Sequence, residues 1–185
     1  IATGLHDTKF GLEIDVARGL LPRLVGSEHL RLEGVACHIG SQLESATPMR
    51  DAVAILARFA GEAADAGAPV RTLDAGGGWP IRYGDEDAEH APWRAFGDAI
   101  AEGLRRGGAA ERGLELVVEP GRALVGDAGG LLTRVLYVKE QAGKRFVIVD
   151  AAMTELVRPA LYDAYHAVMP VAEPTEDAGP ADVVG

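Results

Sequence analysis

The sequence predicts an α/β protein made of strand–helix units, with a β-rich segment on its C-terminal side. Three observations carry this expectation. Short β-rich runs alternate with amphipathic stretches as far as Arg122, and glycine or proline punctuates the changeovers. Beyond Gly129, two β runs follow one another with only Gln141-Ala142-Gly143-Lys144 between them, the pattern of an antiparallel hairpin. At 185 residues the chain suits one domain, or one and a fraction, at roughly 100–200 residues each.

Taken in order, Lys9–Ile14 reads as a first strand. Asp15 is placed to cap a helix with Val16, Leu20, Leu21 and Leu24 as its apolar positions. Leu30–Ile39 is the second strand, ending in Gly40-Ser41. Thr47-Pro48 starts a helix: the threonine offers a cap oxygen, and proline lacks an N–H that would be orphaned anyway. Ala52, Leu56, Phe59 and Ala63 form its predicted face, and Gly67 ends it. Thr72–Gly76 is the third strand. Pro92 opens a helix carrying Trp93, Phe96, Ile100 and Leu104, stopped at Gly107-Gly108. Leu114–Glu119 is the fourth strand, apolar enough to be covered on both faces of a parallel sheet. The hairpin runs are Leu131–Glu140 and Arg145–Ala151, which sets a boundary near Gly129: 1–128 as one region, 129–185 as the start of another. Four strand–helix units fit either a small doubly wound sheet or half of an eight-stranded barrel, which needs about 250 residues.

Composition removes several functions. A net charge of −10 without any Lys/Arg cluster argues against nucleic acid, because phosphate backbones bind to basic faces. No apolar run reaches the roughly 18 residues of a membrane-spanning helix. Cys37 is the only cysteine, so no disulfide forms within the chain, and a reducing cytoplasmic compartment fits. Neither Ile1 nor Gly185, which follows a Pro-, Glu- and Asp-rich stretch, reads as a natural terminus, so residues are expected beyond one or both.

Polar and glycine residues gather where the strands end: Lys9-Phe10-Gly11, His38-Ile39-Gly40-Ser41-Gln42, Asp74-Ala75-Gly76-Gly77-Gly78 and Glu119-Pro120-Gly121-Arg122. The carboxyl ends of parallel strands form one rim, where ligands bind in both candidate folds. Gly76-Gly77-Gly78 suits either an anion cradle of main-chain N–H groups or a flexible turn. Neither a Walker loop nor a dinucleotide fingerprint is present. Ser41 is either a further donor to that anion or a turn residue. His38 is either a core histidine or a flat ring for stacking on an aromatic cofactor, and no second ligand at metal spacing surrounds it. Glu119 is either paired with Arg122 or free for a cationic ring N–H. Arg122 and Arg158 carry the forked donors that suit phosphate or carboxylate, and Tyr162 adds a hydroxyl.

These strings, with Asp150-Ala151-Ala152-Met153 and Arg158-Pro159-Ala160-Leu161-Tyr162-Asp163-Ala164-Tyr165-His166, resemble those of diaminopimelate decarboxylases in content and order, from about Ile1 to Val171. These are fold-type III pyridoxal 5′-phosphate (PLP) enzymes related to ornithine decarboxylase and alanine racemase. The resemblance implies the second half of a PLP-binding (β/α)8 barrel followed by the start of a β-domain. It implies that His38 stacks on the PLP ring, that Glu119 pairs with the pyridine nitrogen, and that Ser41, Gly76–Gly78 and the Gly121-Arg122 backbone hold the phosphate. Arg122, Arg158 and Tyr162 would grip the substrate, meso-2,6-diaminopimelate, which loses CO2 to give L-lysine. The full enzyme would be a homodimer.

The sequence departs from the family in places. The lysines are Lys9, Lys139 and Lys144, and none stands in the family's Schiff-base motif. The Cys-Glu-Ser segment is absent, and Cys37 is not its equivalent. The isolated chain is therefore expected to be inactive, and a non-catalytic PLP-binding fragment is the alternative of a different class. Trp79-Pro80 after the glycines is nearer the ornithine-type pattern, so a decarboxylase of ornithine or of a carboxylated polyamine is the second enzymatic alternative. A half barrel would also leave strand edges unpaired, so poor solubility or association is expected.

Overall fold

A computed structural model describes residues 9–83, 93–172 and 179–185. The chain divides into two compact units. Among the described residues, the first comprises 9–81 and 93–128, and the second 82–83, 129–172 and 179–185.

The first unit runs α1 (Ile14–Val25), β1 (Gly34–Ala36), α2 (Thr47–Asp65), β2 (Thr72–Gly77), α3 (Trp93–Arg106), β3 (Glu115–Glu119) and α4 (Gly121–Val125). The strands form one parallel sheet in the order β1-β2-β3, with Leu73 of β2 between Val35 and Leu116. Helices between successive strands make the parallel pairing possible, as the alternating pattern predicts.

The core has two parts, and α2 contributes to both. Met49, Val53 and Ala57 pack with Leu73 and Ala75 of β2, Phe96 and Ile100 of α3, and Ala109. Further along, Phe59, Ala60 and Ala63 pack with Leu21 of α1 and Val70. The buried face of α2 therefore centres on Val53, Ala57 and Ala60. The expected Ala52 and Leu56 sit on its half-buried margin, because α2 is covered from more than one side. Gly103 on α3 and Gly107, one turn further and just past its end, let the two helices approach closely. A Cβ on Gly103 would stand 2.6 Å from the Arg50 carbonyl oxygen, and one on Gly107 would stand 2.7 Å from that of Ala54.

Several sequence expectations need correction. Residues 9–13 are not a strand, and α1 begins at Ile14 with Glu13 before it, so the parallel sheet has three described strands. Asp15 lies inside the first turn of α1 and supplies no cap; it pairs with Arg18 at 2.7 Å. Thr47 is the first residue of α2, with Ala46 in the cap position and no side-chain cap bond. The second strand shrinks to Gly34–Ala36. β3 is not covered on both faces, since Leu116 is 45% exposed, and among the described residues it pairs only with β2. Pro92 lies outside the described residues.

The second unit holds β4 (Val135–Gln141), β5 (Lys144–Val149), α5 (Arg158–Tyr162) and β6 (Asp182–Val184). β4 and β5 form the expected antiparallel hairpin. Its two-residue loop, Ala142-Gly143, has φ of 50° and 77°, the doubly left-handed turn that matches strand twist. β6, for which the sequence carries no clear signal, runs parallel to β5. Among the described residues no helix is long and apolar enough to cross a membrane.

Candidate functional site: the rim of the parallel sheet

Three strand ends meet at one rim of the first unit. The end of β2 lies between the main chains that leave β1 and β3, too close for side chains. A Cβ on Gly76 would strike the Cys37 carbonyl, one on Gly77 the Glu119 carbonyl, and one on Gly78 the Gly40 carbonyl. Gly76 and Gly78 also have φ of 71° and 88°, which favours glycine independently of space. Asp74 pairs with Val117 but Gly77 with Glu119, so Ala75-Gly76 bulges out of register. Bulges of this kind bend a strand and re-aim the residues beyond them.

The groups predicted for the site flank this turn. The Gly77 N–H donates to His38 Nδ1 at 3.4 Å, so a neutral His38 ring carries its proton on Nε2. His38 is exposed and not a core histidine. Glu119 is exposed as well, so its carboxylate carries no burial cost. Among the described residues neither a hydrogen bond nor an ion pair holds that carboxylate, so of the two readings of Glu119 the pair with Arg122 is the one not formed. Pro120 leads directly into α4, which brings Gly121 and the half-buried Arg122 next to Glu119 in the chain; space around Gly121 is open. Ser41 follows buried Gly40 and is half-buried.

The Gly76 amide is already committed, since it donates to Asp74 Oδ1 at 2.8 Å. The sequence places Asp74 in the string at the end of its strand without a role of its own, yet the Asp-x-Gly spacing is a local signal for such a side-chain turn. The Cys37 thiol leans on the Ala75 carbonyl at 3.8 Å, and burial, helped by Asp74, pushes it up to about 11. That makes Cys37 a packing residue and not a nucleophile.

The structure brings His38, the three glycines and Glu119 together with Ser41 and Gly121-Arg122. It does not bring Lys9-Phe10-Gly11 to a strand end: Lys9 Nζ lies 5.4 Å from the Phe10 ring centre in an exposed, non-strand segment. In the second unit, Arg158 and Tyr162 stand one turn apart on α5, with the guanidinium 5.9 Å from the Tyr162 ring centre. Tyr83, which no sequence motif marks, accepts a 3.4 Å hydrogen bond from Arg158 Nη2. Lys139 and Lys144 lie on the hairpin. Asp150 accepts from the Arg134 N–H and the Thr133 hydroxyl at 2.7 Å each, which hold its carboxyl below the usual range and fasten the start of β4 to the end of β5.

This α/β architecture and its rim define a class. Residues 1–126 match the family model for the pyridoxal-binding domain of pyridoxal-dependent decarboxylases, and the chain belongs to that family. Within it, the chain is 45% identical to the diaminopimelate decarboxylase of Pseudomonas aeruginosa and 40% identical to that of Zymomonas mobilis, in both cases over the whole of this chain. It spans 43% and 42% of those proteins, less than half of their length. Among solved structures, the diaminopimelate decarboxylase of Helicobacter pylori complexed with L-lysine superposes with a TM-score of 0.86 at 36% identity, over all of this chain and 44% of that one.

Proposed function

We propose that this chain supplies the cofactor rim of a PLP-dependent carboxy-lyase that converts meso-2,6-diaminopimelate to L-lysine and CO2. The observation that carries the reading is the convergence of an exposed imidazole, a three-glycine turn and an exposed carboxylate at adjacent strand ends. Residues 1–128 would be the second half of a (β/α)8 barrel, supported by three parallel strands alternating with helices. Residues 129–185 would open a β-domain, supported by the antiparallel hairpin.

The residues present fit PLP. Glu119 offers a carboxylate to a protonated pyridine nitrogen, and its lack of a partner among the described residues leaves that role open. His38 offers a flat face, held in orientation by the Gly77 amide. Ser41, the Gly77-Gly78 main chain and Gly121-Arg122 offer donors to a phosphate; Gly76 serves mainly to let β2 reach the neighbouring backbone. When bound, the cofactor supplies a cationic ring that takes up the electron pair left as CO2 departs. Glu119 keeps that ring protonated, and the phosphate contacts fix its position. Arg122, Arg158 and Tyr162 bring the chemistry that recognises a substrate carrying a carboxylate distant from the one lost, which favours diaminopimelate over ornithine.

We assign turnover to the longer protein, a cytoplasmic homodimer, and not to this chain alone, whose lysines lie outside the family's Schiff-base motif. The test mixes full-length protein with PLP and supplies diaminopimelate and ornithine in competition. Bound-cofactor absorbance and release of lysine are expected. No bound cofactor, or turnover of ornithine alone, would overturn the reading.

A further inference from the structure

Gln42 is the one polar residue of the His38–Gln42 string for which neither the motif nor the cofactor reading supplies a role. Its backbone is left-handed, with φ of 57°, a conformation that glutamine rarely adopts. A conformation of that kind persists only where the surroundings hold it. Here the hold is visible. Gln42 Nε2 donates to the Ile81 carbonyl and Gln42 Oε1 accepts from the Ile81 N–H, both at 2.8 Å. The primary amide thus bonds Ile81 as a neighbouring strand would, using both a donor and an acceptor. One residue further on, the Leu43 N–H donates to the Gly78 carbonyl at 3.0 Å. The two loops are fastened at both ends of the segment Gly78–Ile81, within the first unit.

The segment so fastened is the one that leaves the glycine turn. Gly78 has φ of 88° and faces the Gly40 carbonyl with no room for a side chain. Trp79 and Pro80 then carry the chain away, with the Trp79 ring against Phe96, centres 5.8 Å apart. Three glycines in succession have little conformational preference of their own. Something outside the turn must fix where its amides point: Asp74 and His38 hold the Gly76 and Gly77 amides on the strand side, and beyond Gly78 the Gln42 amide is the side chain that fastens the departing chain.

We infer that Gln42 is a positioning residue for phosphate binding: its amide clasps Ile81 and so sets the glycine turn in the shape that receives an anionic phosphate. The inference rests on the PLP reading of the rim. Gln42 need not touch the cofactor. It acts by removing the freedom of the loop before the ligand arrives.

The experiment compares PLP with pyridoxal, which has the same ring and no phosphate, on full-length protein. Gln42→Gly relieves the left-handed backbone but removes the clasp. Gln42→Glu keeps length and acceptor but cannot donate to the Ile81 carbonyl. For both variants, affinity for PLP should fall about tenfold, the equivalent of losing one or two neutral hydrogen bonds. Affinity for pyridoxal should stay within about twofold, a shift small beside the hydrogen-bond loss. The 31P resonance of bound PLP should shift or broaden. A merely structural role would weaken both ligands alike, and that result overturns the inference. So does an unchanged ratio in either variant that folds. If the wild type binds PLP no better than pyridoxal, the phosphate does not dock here and the inference fails while the cofactor reading survives. If the wild type binds neither, both fall.

Discussion

Alanine at Gly97 and at Gly103 tests the packing of α3 with the same atom added twice. Both glycines lie inside Trp93–Arg106, so each substitution gains the same intrinsic helix preference, about 0.5–1 kcal/mol. At Gly97, which is exposed, a Cβ meets nothing within 4 Å. At Gly103 it would lie 2.6 Å from the Arg50 carbonyl oxygen and 2.8 Å from Val53 Cβ. Carbon and oxygen normally keep about 3.3 Å or more apart, so α2 and α3 would have to separate by about 0.7 Å. Val53 is fully buried against Phe96 and Leu73, and an interior packed to crystal density gives little slack. Overpacking of this kind costs about 1–3 kcal/mol, which outweighs the helix preference. Gly97→Ala should therefore stabilise the protein by about 0.5–1 kcal/mol and Gly103→Ala destabilise it by about 1–2 kcal/mol. Urea unfolding followed by circular dichroism, with equal m-values, reads the difference. Equal stabilisation by both would mean that α2 and α3 do not approach as described.

Three further outcomes rest on particular contacts. Gly77 has no left-handed φ, so Gly77→Ala is a steric test alone; by crowding the Glu119 carbonyl it should weaken PLP binding by more than about tenfold, and an unchanged titration would detach the β2 end from the cofactor rim. Arg18 Nε lies 2.7 Å from Glu62 Oε2, and this hydrogen bond holds the Glu62 carboxyl below its ordinary value. The pair's stabilising contribution is present above the ordinary carboxylate range and is lost as pH falls below it, so the small stability gap between wild type and Glu62→Gln at neutral pH should close in acid; a gap that persists there would refute the pairing. With its thiol near 11, Cys37 has roughly one part in a thousand thiolate at pH 8, so an alkylating reagent should label it slowly in the native protein and rapidly in urea. Equal rates would show that burial does not protect it.

The alternation of β-rich and amphipathic stretches was enough to read the parallel sheet, because parallel strands require crossovers and the chain supplies helices at each one. The hairpin was equally legible, since two β runs follow one another with only a short glycine-containing link between them; the left-handed φ of Ala142, which alanine rarely adopts, was not. Element ends were not: Thr47 has a capping side chain and yet lies within α2, and Lys9–Ile14 has strand-forming residues but feeds a helix. Local preference at such positions is worth less than the packing that decides them. Among site residues, His38, Glu119 and the glycines were found by type and by their place at strand ends. Asp74, Tyr83 and Gln42 were not assigned roles, because their partners are set by the folded chain and residue type alone does not name them.

The sequence by itself determined the class of fold, the rim on which its polar residues gather, and the pyridoxal-dependent decarboxylase family to which the chain belongs. Those properties are written in residue type, order and period. Only the tertiary structure decided why three glycines stand together. The strand that carries them is wedged between two neighbouring backbones, where any side chain would collide, and that crowding exists only once β1, β2 and β3 lie side by side.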